Sequence, residues 1–292
     1  MEKRKERGKE GVRQLDNQVV VITGTSSGFG FLTALALAEK GYQVVGTVRN
    51  QESKERLLAE AVKRGCEHLV ELHFLDVTYQ DQVDVFAEQV KNRFGKVDVL
   101  INNAGFSTGG MTELVEMEAW QQQLDTNVVG AIRVTKAFLP MMREAKSGKI
   151  INLGSISGRF GFPGLAPYVT SKHALAGFSE SLRLELLPFG IYVSLIEAGS
   201  FQTGIWEKGL SGIDVEKESD YRTYIMKLYE NAKRTVEQAA DPMDVVGLIE
   251  RICERERPKF RYQVGKGVKV GVFLKAIVPW SIVERIVMKK MK

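Results

Sequence analysis

The sequence predicts an α/β domain built on a doubly wound parallel sheet, and three observations carry that reading. Short β-branched apolar runs alternate with longer helical patterns. The runs are apolar nearly throughout, as strands must be when helices cover both faces of a sheet. The connections are short, with no internal repeat, low-complexity tract or Pro/Gly-rich linker, so a single domain accounts for the chain.

Residues 18–23 (QVVVIT) read as the first strand, and a helix follows over 29–40, closed by Gly41. The second strand is 43–48 (QVVGTV), then a helix over 52–64. A third strand over 68–74 precedes a helix over 81–94, and 97–101 (VDVLI) is the fourth strand. Strands over 149–153 and 191–196 continue the series, separated by long helices, one of them spanning 167–187. Parallel strands joined this way require right-handed crossovers. After Thr203 comes a glycine-punctuated loop, 204–212, and then a helical pattern over 220–229. Tyr221, Tyr224, Ile225 and Leu228 fall there at i, i+3, i+4 and i+7, one apolar face. The next clear helix begins near Asp241. Residues 1–15 thus form a basic flexible arm, and 16–265 the sheet domain, with a helical lid over about 204–238. Residues 266–292 are an amphipathic C-terminal extension.

Composition narrows the function. The net charge of +5 arises mainly in the first thirteen residues, which hold six basic and three acidic side chains. The rest is near neutral, so the arm is a solvated tail and nucleic acid is not an expected partner. Two cysteines, Cys66 and Cys253, make no disulfide framework, and a reducing, cytoplasmic setting is expected. The N-terminal residues lack the apolar stretch of a secretory signal. No uncharged apolar run reaches the ~18 residues of a spanning helix. Cys66, His68 and His73 invite a metal reading, but the two histidines have opposite strand parity, and no metal is expected. Gly154–Gly158 (GSISG) mimics a hydrolase nucleophile elbow, but its central residue is Ile156 rather than serine.

The first strand runs into Thr23-Gly24-Thr25-Ser26-Ser27-Gly28-Phe29-Gly30 and then a helix. Glycine allows a tight turn and a close backbone approach to a phosphate. The helix N-terminus supplies free N–H groups and partial positive charge for a pyrophosphate. The place on the first strand of a β-α-β unit makes this a dinucleotide site of the Rossmann type, although the spacing is G-x-x-x-G-x-G rather than G-x-G-x-x-G. A carboxylate at the end of the second strand would bind the ribose of NAD. Val48 holds that place and Arg49 follows, which favours the 2′-phosphate of NADP(H) while leaving NAD(H) possible.

Tyr168 and Lys172 are four apart on one helix face. A phenol near pKa 10 is a poor acid/base at neutral pH, and a neighbouring cation would lower it. Ser155 follows the 149–153 strand at a carboxyl end, where open α/β sheets place their ligands. Asn127 lies in a helical region, and Asn102-Asn103-Ala104-Gly105 leads away from the fourth strand.

In this order and spacing the pieces resemble the classical short-chain dehydrogenase/reductases, over roughly residues 18–203. The resemblance implies a catalytic tetrad of Asn127, Ser155, Tyr168 and Lys172. It implies that Gly24, Ser26, Ser27, Gly28, Phe29 and Gly30 hold the cofactor, that Asp76 and Val77 flank its adenine, and that Asn103, Ala104 and Gly105 pass along it. The segment Glu197-Ala-Gly-Ser-Phe-Gln-Thr203 is similar to the family's Pro-Gly turn near the nicotinamide. Gly199 and Thr203 are then contacts, but Ala198 replaces the proline, and a less rigid turn is expected. Gly46–Arg49 and this segment look most like steroid and retinol dehydrogenases. The activity implied is interconversion of a carbonyl and an alcohol, in a homo-oligomer. Phe160, Phe162 and Phe201, with the lid, point to a lipophilic small-molecule substrate. Two other readings remain: a dinucleotide-binding regulator without catalysis, against which the tetrad argues, and peripheral membrane contact. Ile282, Val283, Ile286 and Val287 recur at helical spacing with Lys289, Lys290 and Lys292 behind, so the extension packs either on its own domain or on a bilayer surface.

Overall fold

The computed structural model describes residues 18–203 and 220–291. The basic arm and the 204–212 loop lie outside the described residues. Seven strands form one parallel sheet: β1 (Val19–Ile22), β2 (Gln43–Val48), β3 (Val70–Phe74), β4 (Val99–Asn102), β5 (Gly148–Leu153), β6 (Ile191–Ala198) and β7 (Arg261–Val264). Their order is β3-β2-β1-β4-β5-β6-β7.

Alternation along each strand divides the core into two layers. Val20 and Ile22 face one side with Val44, Ile101 and Ile151, under α1 (Gly28–Glu39), α2 (Gln51–Lys63) and a later helix, Met243–Glu254. Val19 and Val21 face the other with Val45, Leu100 and Ile150, under α3 (Gln80–Phe94), α5 (Ala131–Glu144) and α6 (Ala166–Leu186). Both faces are therefore mostly apolar, and the few polar groups buried in the strands, such as Asn102 and Asn152, are hydrogen-bonded to each other and to Thr135 and Ser179. Between them α4 (Met117–Leu124) runs into a π-helical turn, Asp125–Gly130, and on into α5. The lid pattern becomes α7 (Arg222–Glu237), and the helix named above is α8. Pro279 then separates α9 (Val268–Ile277) from α10 (Trp280–Met291).

Three expectations need correction. The third strand starts at Val70, because Glu67–Leu69 forms a 3₁₀ turn that brings the chain to the sheet edge. β7 was not anticipated; it is four residues long and half-buried at the open edge, beyond the strongly apolar runs. The lid helix does not bury one whole apolar face, since Ile225 is buried but Tyr224 is exposed.

The chain winds outward from β1 to β3, returns, and winds the other way from β4 to β7. The carboxyl ends of β1 and β4 diverge at this switch, and the crevice there is the place for a ligand.

Candidate active site

A cavity of about 1490 Å³ opens at the carboxyl ends of the strands. One end is the turn after β1. Gly24 takes a left-handed φ of +71°, and a Cβ there would come within 2.9 Å of the Ala104 Cα. A Cβ on Gly30 would strike the Asn103 amide and the Gly24 carbonyl. The turn is held from outside by side chains. The Asn103 amide donates to the carbonyls of Thr23 and Gly24 at 2.9 and 2.8 Å. The Thr23 hydroxyl accepts from the N–H groups of Asn103 and Ala104. Thr47 Oγ1 accepts from Gly24 N–H at 3.1 Å. Asn103, expected along a cofactor, thus spends its side chain on bracing the turn.

The N-terminus of α1 fits an anion. Ser27 at its N-cap makes no side-chain cap bond, and the first turn has no acidic residue. Gly28, at φ +58°, leaves the backbone open: among the described residues a Cβ there would meet the Thr203 side chain alone, 3.6 Å away. Free N–H groups, a helix dipole and an unobstructed approach are what a pyrophosphate requires. Ser26, Ser27, Phe29, Val77, Ala104 and Gly105 also line the cavity.

At the far side of this end, Val48 is buried and the Arg49 side chain is largely in solvent. Arg49 Nη1 lies 4.0 Å from Asp76 Oδ2. Asp76 Oδ1 meanwhile accepts from Thr78 N–H and Oγ1–H at 3.0 and 2.7 Å, which fixes the carboxylate beside the pocket. A second guanidinium, Arg56 of α2, donates to the Ser26 carbonyl and stacks over Phe31. Sequence reading passed over Arg56, because nothing local marks a helical arginine as reaching back to the β1 turn.

Ser155, Tyr168 and Lys172 line the middle of the cavity, while Asn127 is buried and does not line it. Ser155 follows β5 and caps a short 3₁₀ turn, its hydroxyl accepting from Ser157 N–H at 3.1 Å. Its hydroxyl also lies near enough to the Tyr168 phenol to favour the phenolate. Lys172 Nζ lies 5.6 Å from the centre of the Tyr168 ring and donates to the Leu153 carbonyl at 2.7 Å. Asn127 sits in the π-helical turn, where one extra residue per turn redirects side chains. Its Oδ1 accepts from Phe106 N–H at 3.0 Å, and its Nδ2 donates to the Phe106 carbonyl and to Ser171 Oγ. Ser171 donates in turn to the Tyr168 carbonyl at 2.7 Å, so Asn127 is tied to the Tyr168 helix by a single hydroxyl.

Burial dominates the electrostatics. It pushes the Tyr168 phenol above its usual value, with the Ser155 hydroxyl acting in the opposite sense. It pushes the Lys172 ammonium down to about 8. The expected lowering of the phenol pKa by Lys172 is therefore corrected: the shift is upward, removal from water is its main cause, and the Lys172 ammonium is engaged with the Leu153 carbonyl.

Past Tyr168 the walls become apolar. Phe160 and Phe162 lie 6.3 Å apart, ring centre to ring centre. Phe201 is almost fully buried, edge-on to Phe29 at 5.6 Å, so it is a wall of the cavity rather than a free surface. Leu228 and Thr235 of α7 close one side. Val283, Ile286, Val287 and Met288 of α10 close another, a contribution the sequence did not reveal. The 198–199 turn is also tighter than expected from the missing proline. Gly199 N–H donates to the Val264 carbonyl of β7 at 2.9 Å, and a Cβ on Gly199 would come within 2.7 Å of Val268. β7 and α9 supply the stiffness that a proline would have given.

Comparison with known proteins agrees with this geometry. Residues 18–212 match the short chain dehydrogenase family. Uncharacterized oxidoreductase YusZ of Bacillus subtilis (strain 168) is 42% identical over 280 residues, covering 95% of this chain and 99% of the relative. 3-Ketodihydrosphingosine reductase of Bacteroides thetaiotaomicron is 37% identical, over 87% and 90%. Human 17-beta-hydroxysteroid dehydrogenase type 1 is 36% identical, over 84% and 76%. Among solved structures, a metagenomic short-chain oxidoreductase in complex with NADP superposes with a TM-score of 0.68 at 28% identity, over 86% and 96% of the two chains. A short-chain dehydrogenase/reductase from Burkholderia phymatum in complex with NAD gives 0.78 at 26%, over 90% and 94%. The protein belongs to the short chain dehydrogenase family, oxidoreductases that use a nicotinamide dinucleotide and act on CH–OH groups.

Proposed function

We propose that the protein is an NADP(H)-preferring oxidoreductase that interconverts a carbonyl and an alcohol on a lipophilic substrate, with Tyr168 as acid/base. The observation that carries this reading is the Ser155–Tyr168–Lys172 group, with Ser155 and Lys172 buried and Tyr168 part-exposed to the cavity, set between an anion-accepting turn and an apolar chamber. The dinucleotide supplies the hydride when bound. The residues do the rest. Ser155 and Tyr168 share the position of a substrate oxygen, and both can donate to it as negative charge develops there. Tyr168 gives up its proton to the oxygen in reduction and takes it back in oxidation. With a pKa raised by burial, the phenol is protonated at neutral pH, the form reduction needs. Lys172, at about 8, still carries its proton at pH 7 and can restore the phenol or hold ribose hydroxyls. Asn127 holds the Phe106 backbone and, through Ser171, the Tyr168 helix; it positions rather than reacts.

The preference for NADP(H) rests on Val48, Arg49 and Arg56 at the ribose end, where no carboxylate stands at the end of β2. The lipophilic substrate rests on the Phe160–Phe162 pair with α7 and α10, and accords with sphingoid-base and steroid enzymes among the relatives. A cytoplasmic setting accords with Cys66 and Cys253 as buried free thiols. The mechanism is tested with Tyr168→Phe. Turnover should fall by about 10²–10⁴-fold while NADPH affinity stays within about threefold. Turnover near that of the unmodified protein would refute Tyr168 as the acid/base.

A further inference from the structure

The outer side of α9 and α10 does not read like the rest of the surface. Val270, Phe273, Leu274 and Ile277 of α9 are exposed, as are Trp280, Ile282, Ile286 and Met288 of α10. Phe273 and Trp280 are each 64% exposed. An apolar patch of this kind on a water-soluble face marks an interaction surface. Its setting is basic: residues 266–292 carry seven lysines and arginines and one acidic residue, Glu284. Lys266, Lys269, Arg285 and Lys289 are exposed around the apolar residues.

The inner side of the same helices is fastened to the active site. Lys275 donates to the Arg159 carbonyl and sits over the Phe160 ring, 4.9 Å from its centre. α10 packs against α7, and Val283, Val287 and Met288 line the cavity. Trp280 and Ile286 belong to both surfaces: they line the cavity and are more than half exposed. The cavity wall and the patch therefore share these two side chains.

We propose that the α9–α10 pair docks on an anionic bilayer surface, so that a lipophilic substrate passes from the membrane interface into the cavity beside Trp280 and Ile286. This rests on the lipophilic-substrate reading above. The chemistry fits one occupant. Apolar side chains ringed by lysines suit an interface of acyl chains under anionic headgroups, and an indole at the edge is typical of that depth. A second copy fits less well, because a two-fold contact would bring the same lysines onto one another. The patch binds in the membrane plane; among the described residues no helix is long and apolar enough to cross a membrane.

The test is co-sedimentation of the full chain with vesicles of phosphatidylcholine, with and without phosphatidylglycerol. The protein should sediment with the anionic vesicles and far less with the neutral ones. Phe273→Glu with Ile277→Glu, neither of which lines the cavity, should weaken this by at least about tenfold. Lys269→Glu with Lys289→Glu, which leaves the apolar residues in place, should cost at least about tenfold on anionic vesicles, from a factor of about five per lysine. Both variants should keep the unmodified rate on a water-soluble ketone, which also shows that they are folded. Equal binding by the lysine variant, or no vesicle binding by the unmodified chain, overturns the docking proposal whatever the enzyme's substrate. So does a dimer that Phe273→Glu with Ile277→Glu converts to monomer when no vesicle binding is seen. Loss of turnover on every lipophilic ketone, with vesicle binding intact, overturns the substrate reading instead.

Discussion

The two ends of the cavity are built on opposite plans. The cofactor end is backbone: glycines pressed against neighbouring chain, fixed by Thr23, Thr47 and Asn103. It comes from turns at the switch point of the sheet, and at Gly24 and Gly30 it has no room for an added methyl group. The substrate end is side chain: Phe160, Phe162, Leu228 and the inner face of α10, drawn from three segments spread over more than a hundred residues of chain. There, among the described residues, nothing lies within 4 Å of where a Cβ on Gly161 would sit. A rigid frame suits a cofactor common to many enzymes, and an assembled, looser wall suits a substrate that differs among them.

The largest expected effect follows from that contrast. Gly24→Val combines a left-handed backbone with a collision against Ala104. It should lower stability by about 2–5 kcal/mol and abolish measurable dinucleotide binding. Gly161→Ala, at the loose end, should change stability by no more than about 0.5 kcal/mol. Denaturant midpoints of the two variants check the contrast, and equal midpoints would erase it.

Val48→Asp sharpens the cofactor end alone. A carboxylate at the end of β2 would repel a 2′-phosphate and accept from a ribose hydroxyl, so the NADPH:NADH ratio of kcat/KM should fall about tenfold or more. An unchanged ratio would mean that neither Val48 nor Arg49 faces that ribose.

Leu228→Ala probes the substrate end and should have the smallest effect. Leu228 is half-buried and packs over Gly164, where a Cβ would come within 2.7 Å of its Cδ1. KM for a long-chain ketone should rise about three- to tenfold, with NADPH affinity and turnover of a small polar carbonyl unaffected. A matching loss of NADPH affinity would show that the two ends are not independent.

The same division explains what could be read from the sequence. The central strands were legible because both of their faces are largely buried, which makes them mostly apolar runs, as in 19–22 and 43–48. The glycine turn was legible because close backbone approach at Gly24 and Gly30 admits no other residue. β7 left a fainter mark: Arg-Tyr-Gln-Val alternates between Pro258 and Gly265, but it is short, partly polar and at the sheet edge. The closing of the cavity by α10 and the reach of Arg56 to Ser26 are long-range facts with no local pattern. The direction of the Tyr168 shift was missed for the same reason. A neighbouring cation can be seen in a heptad of sequence, but burial belongs to the whole fold.

The central claim is that one site joins two independently built ends, a dinucleotide frame preferring NADP(H) and a lipophilic chamber, across Tyr168. The most direct measurement is kcat/KM for four pairings: NADPH or NADH, each with a ketone of at least about ten carbons or with dihydroxyacetone. The account predicts that NADPH is preferred by the same factor with either carbonyl, and that the long ketone is preferred with either cofactor. A preference for NADH, or for dihydroxyacetone, would contradict it.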